Sequence, residues 1–124
     1  MKKAILNLIV ALSLVLFSCN DNYNIQLTKN WKVIKVEKIV KVMPNSYTYV
    51  DIGVTPIMSY YFIPNNKIEI TTKYGGNLTG NWYRTDSLIT INIKEETKKF
   101  KIITLTDKIL VMTSDKYKFH FEKK

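Results

Sequence analysis

This 124-residue sequence has a single thiol, Cys19, and a single imidazole, His120. A structural zinc site takes four nitrogen or sulfur ligands, so Cys19 and His120 cannot furnish one. His120 alternates with Phe119 and Phe121, which turns it outward on a strand, and no Ser, Cys or His neighbours it in sequence to form a catalytic pair. Glu95 and Glu96 are adjacent carboxylates, but they sit between Lys94 and Thr97 in a polar turn. That composition indicates a solvated loop and not an acid–base pair. Phosphate-cradling, dinucleotide, calcium and zincin motifs are missing. The expectation is a protein without catalytic residues, cofactor or metal.

What remains is the chemistry of recognition. Trp31 and Trp82 are the largest apolar side chains, and Tyr47, Tyr49 and Tyr60 bring rings with polar tips. The two indoles either line a pocket or plug one end of a core, and their size favours the core. Arg84 stands two residues after Trp82, hence on the same strand face. It either lies over an indole or pairs with Asp86 at the surface. The candidate contact residues are Tyr47, Tyr49, Tyr60, Trp82 and Arg84. The region 47–61 is rich in Tyr and poor in Lys and Glu, a bias expected of recognition surfaces.

Such side chains need strands to hold them. From Trp31 onward the chain is made of β-branched and aromatic runs separated by compact turn signals. The first run, Trp31–Val42, alternates but changes phase near Glu37, which predicts a bulge; a helix is the rival there, disfavoured by its many Val and Ile residues. Further strands are predicted over Tyr47–Asp51, Met58–Ile63, Lys67–Lys73, Leu78–Arg84, Leu88–Ile93, Lys99–Leu105, Ile109–Thr113 and Tyr117–Glu122. Nine short runs joined by hairpin-length turns predict an all-β antiparallel meander that closes into a barrel or forms a sandwich. The predicted inward set is Trp31, Tyr60, Phe62, Trp82, Phe100, Met112, Tyr117, Phe119 and Phe121. That much bulk implies a filled interior with at most a shallow mouth.

Ahead of these strands, Lys2 and Lys3 precede the apolar run Ala4–Phe17. As a helix it would span roughly 21 Å against a hydrocarbon core of about 30 Å, which suits a secretory signal better than a membrane span. Leu16-Phe17-Ser18-Cys19 follows, then the polar Asn20-Asp21-Asn22. This resembles a bacterial lipobox. The resemblance implies cleavage after Ser18, a diacylglycerol thioether on Cys19 and acylation of the new amino group. Two or three acyl chains give stable anchoring, which a single chain does not. The expected division is a signal peptide over 1–18, a lipidated N-terminus and tether over 19–28, and a barrel domain over 29–124.

Charge narrows the partners. The formal net charge is +9 and falls by two, to +7, when Lys2 and Lys3 leave with the signal. All the cations but Arg84 are Lys, whereas nucleic-acid readers rely on the bidentate guanidinium. Nucleic acid is therefore not an expected partner. Attraction to anionic headgroups, acidic polysaccharide or acidic proteins is one reading of the lysines. A solvated surface that blocks edge-to-edge aggregation is the plainer one.

The strand elements also carry a resemblance. Leu27-Thr28-Lys29-Asn30-Trp31-Lys32-Val33 gives an early Trp strand, and Gly80-Asn81-Trp82 gives a later Gly-x-Trp strand. Between them lie Tyr60-Tyr61-Phe62 and Lys67-Ile68-Glu69-Ile70, and the chain closes through Phe100–Met112 and Phe119-His120-Phe121-Glu122-Lys123. Over nearly the whole chain after Cys19 this is similar to the small lipocalin-like bacterial lipoproteins. The resemblance implies an up-and-down β-barrel of about eight or nine strands, often with an unknown or small apolar ligand, and lends no catalytic residues; the lipid-anchored chain is expected in the cell envelope, most simply the outer membrane. The expected function is a non-enzymatic protein-interaction or binding module; the alternative is a carrier of a small apolar ligand.

Overall fold

The computed structural model describes residues 24–124, so the expected signal peptide and Cys19 lie outside the described residues. Nine antiparallel strands form one sheet: β1 (Asn30–Met43), β2 (Ser46–Asp51), β3 (Ser59–Ile63), β4 (Lys67–Thr71), β5 (Asn77–Thr85), β6 (Leu88–Ile93), β7 (Glu96–Leu105), β8 (Ile109–Thr113) and β9 (Tyr117–Lys123). Their order is β2-β1-β3-β4-β5-β6-β7-β8-β9, and β1 also pairs with β9. That last pairing closes β1 and β3–β9 into an eight-strand barrel. β2 is left over as an extra strand on the far part of β1.

The closure depends on the length of β1. One edge of β1 runs against β9 from Trp31↔Lys123 to Lys38↔Tyr117. Its other edge meets β3 only through Asn30–Lys32, and then meets β2 from Glu37↔Asp51 to Met43↔Ser46. The β1–β2 hairpin therefore projects as an arm past the end of the barrel. Its tip, Pro44-Asn45, places Asn45 at φ 70°, the arrangement a type II turn favours.

β1 has two register shifts: one against β2 between Lys41 and Met43, and one against β9 between Val33 and Lys35, a few residues before the phase change expected near Glu37. The extra residue turns Ile34 and Lys35 outward together and brings both Val33 and Val36 into the core. Alternation then holds around the barrel. Trp31, Phe62, Ile68, Ile89, Ile91, Leu110, Met112 and Phe121 are all within 2% of full burial, and Trp82 and Phe100 nearly so.

At Gly80 the reason for glycine is steric. A Cβ there would overlap the Asn92 carbonyl oxygen on β6 and stand 2.8 Å from Ile93 Cγ1. The Gly-x-Trp spacing thus lets β5 press against β6 while Trp82, two residues on, turns inward.

Candidate functional site

The two ends of the barrel differ. At the end where β1 begins, a single helical turn over residues 24–27 lies across the opening, and Leu27 is completely buried. The Trp31 indole Nε1 donates to the Leu27 carbonyl at 2.9 Å, which ties this turn to the core. Arg84 Nε donates to Asn24 Oδ1 at 2.8 Å and its Nη1 to the Asp86 carbonyl at 2.7 Å. Lys29 Nζ reaches the Asp107 carbonyl at 3.1 Å. Residues 24–28, which their polar composition assigns to the tether, are therefore part of the packed domain. The amphipathic signal was one residue, Leu27, too little to register in sequence.

At the opposite end the interior is open. Tyr60, Phe100, Tyr117 and Phe119 line a cup of about 620 Å³, with Thr97, Lys98, Lys99, Ser114, Asp115 and Lys116 around its rim. Phe119 organises the wall: its ring centroid lies 5.8 Å from Tyr60, 5.6 Å from Phe100, 6.2 Å from Tyr117 and 6.0 Å from Phe121. Burial pushes the Tyr60 phenol from 10.0 up to about 12, so it stays protonated as a neutral hydrogen-bonding group. Tyr117 and Phe119 also wall a groove of about 180 Å³ running toward Val36, Ile52, Met58 and Lys73 at the base of the arm. The bulky side chains fill the closed half; at the open half the Phe119 ring packs tilted or edge-on against Tyr60, Phe100 and Tyr117, and the cup lies over this cluster.

The sequence-derived contact residues separate into three places. Tyr60 is in the cup. Tyr47 and Tyr49 lie together on the outer face of the arm, each more than half exposed, with Lys118 Nζ 5.4 Å from the Tyr49 ring centroid. Trp82 and Arg84 belong to the closed half. The Trp82 ring packs edge-on against Phe62 at 5.3 Å and its Nε1 donates to the Ile63 carbonyl at 3.2 Å, so it is core and touches neither cup nor arm. Arg84 secures the helical turn, and its contact with Asp86 is to the backbone and not to the carboxylate.

His120 does face outward, as expected, but it has a partner that sequence reasoning missed. Its Nε2 lies 2.6 Å from Glu37 Oε1, across the β1–β9 seam and 83 residues away in the chain. Only barrel closure brings the two together. Lys35 Nζ approaches the same carboxylate at 4.0 Å. The pair sits on the outer wall, and no group of three or more His, Cys, Asp or Glu that could hold a metal occurs among the described residues.

By sequence the chain matches no protein-family profile and no curated protein. By structure it is similar to a lipocalin-like protein from Bacteroides uniformis, at 18% identity over 80% of this chain and 99% of that one, with a TM-score of 0.56. The fold is lipocalin-like. An uncharacterized protein from Bacteroides eggerthii is also similar, at 16% identity over 78% of this chain and 98% of that one, with a TM-score of 0.53. In this lipocalin-like barrel the cup occupies the open mouth, and the arm is an addition to the eight closing strands.

Proposed function

We propose that the protein is a lipid-anchored envelope binding module whose cup takes a small molecule with an apolar body. The observation that carries this reading is the cup itself. Its volume of about 620 Å³ falls inside the range of about 300–1,000 Å³ usual for small-ligand sites. Its wall is aromatic, and Lys98, Lys99 and Lys116 on the rim favour a ligand with an anionic end. Binding without chemistry is part of the reading, because the His120–Glu37 pair lies on the outer wall, away from the cup. The anchor rests on Cys19 and its lipobox-like surroundings, and the envelope, most simply the outer membrane, is its location.

The test is titration of the chain from Asn20 onward with a fluorescent fatty acid. Saturable one-to-one uptake is expected, and its absence refutes the cup as a ligand site. Metabolic labelling with a fatty acid, lost in Cys19→Ser, checks the anchor separately. A second reading, capture of a protein partner, is favoured by one specific observation: Tyr47, Tyr49, Val50, Ile52 and Met43 are all exposed on or beside the arm.

A further inference from the structure

We propose that the outer edge of β2 takes up an extended acidic segment of a partner protein as an additional strand. This rests on the second reading above and supplies its mode and the chemistry of the partner. The edge is open: β2 is hydrogen-bonded to β1 alone, and all six of its residues are exposed. Ile52 N donates to the Val36 carbonyl at 3.0 Å, and on the other side of β1 Ile39 N donates to the Lys116 carbonyl at 2.8 Å. Hydrogen-bonded pairs alternate along an antiparallel ladder. Thr48 and Val50 therefore turn their backbone groups toward β1, while Tyr47, Tyr49 and Asp51 turn theirs to the open side.

Proteins protect free edges with lysine, proline or bulges. Ser46–Asp51 contains neither lysine nor proline, and the register shift of this hairpin, between Lys41 and Met43, lies on β1 and not on β2. An edge without these guards is suited to strand addition, in which main-chain bonds supply affinity and alternate side chains supply selectivity.

Charge chooses the occupant. Lys41 pairs across from Tyr47, Lys38 across from Val50 on the other face, and Lys118 stands over the Tyr49 ring. Asp51, the carboxylate on β2, is engaged as an acceptor for Gly53 N at 2.9 Å. A second copy would set the same lysines against these, in a strongly cationic chain whose charge stays positive when Lys2 and Lys3 are gone. A segment alternating acidic with β-branched residues meets them with complementary charge and fits the pleat.

The experiment uses the full chain in zwitterionic nanodiscs and a short fluorescent peptide alternating glutamate with valine. Saturable binding is expected, with amide exchange at Tyr47 and Tyr49 slowed about tenfold or more. Tyr49→Pro removes the outward N–H and no donor that bonds β1, and should weaken binding about tenfold, whereas Tyr49→Thr, which also lacks the ring but keeps that N–H, should retain it. A lysine–valine peptide should not bind. Unslowed exchange at these amides, undiminished binding by Tyr49→Pro, equal binding of the lysine peptide, or β2-dependent dimerisation without peptide would each overturn the proposal. If Tyr47→Ala with Tyr49→Ala abolishes binding while Tyr49→Pro does not, edge pairing fails but the aromatic surface stands. The exchange measurement is made on the unmutated chain, so the outcome does not depend on the proline variant folding.

Discussion

Replacing Leu27 by alanine separates a packed plug from a tether. Leu27 is fully buried beneath the helical turn at the closed end, and its carbonyl accepts the Trp31 indole proton. Leu→Ala removes three apolar carbons, a transfer loss of about 2.4 kcal/mol at about 0.8 kcal/mol per group. An unrelaxed void of roughly 80 Å³ adds about 2 kcal/mol at about 24 cal/mol per Å³. Collapse of the turn into the void lowers that second figure, so the expected cost is about 2.5–4.5 kcal/mol. For a domain of this size that is a fall of roughly 10–20 °C in Tm. Release of the turn to avoid the void would also strip Trp31 Nε1 of its partner. The loss would then appear as a red-shifted indole emission. The assay is urea unfolding of the variant followed by circular dichroism, with the denaturant slope unchanged. A destabilisation below about 0.5 kcal/mol, the level of an ordinary surface change, would refute the packing argument.

Two further outcomes follow from the core. The folded pKa of Tyr60, about 12, exceeds its ordinary 10.0, so between these values the unfolded chain loses this proton while the folded chain keeps it. Stability from this group is full below pH 10, declines by about 2–3 kcal/mol as pH rises toward 12, and Tyr60→Phe should flatten that component of the pH dependence in parallel denaturation curves. Gly80→Ala should cost about 1–3 kcal/mol by thermal melting, because the added Cβ meets the Asn92 carbonyl oxygen, which the β5–β6 ladder holds in place. A neutral result at Gly80 would mean that β5 shifts without penalty.

Much of the barrel is legible because alternation is a local signal. Tyr117–Glu122 and Leu88–Ile93 announce their faces residue by residue, and their observed bounds agree to within one residue. The predicted start of β7 at Lys99 comes three residues late. Polar Glu96 and Thr97 read as turn, yet with Lys98 they continue the ladder to β6 through the pairs Ile93↔Glu96 to Ile91↔Lys98. Features set by closure are not local. The Glu37–His120 contact, the placement of Arg84 on Asn24 and the cup all depend on which strands meet around the ring. Trp82 is ambiguous between pocket and core in sequence because alternation says that it points inward, but not at which level of the barrel.

The seating of residues 24–27 sets the outlook of the whole molecule. Only five positions separate Cys19 from Asn24, a leash of at most about 17 Å when taut. With acyl chains on Cys19, the plugged pole is moored against the lipid, and the mouth and its overhanging hairpin stand at the far pole. Cargo and strand donor alike would then arrive through water, from the compartment the anchor faces and not from the bilayer beneath.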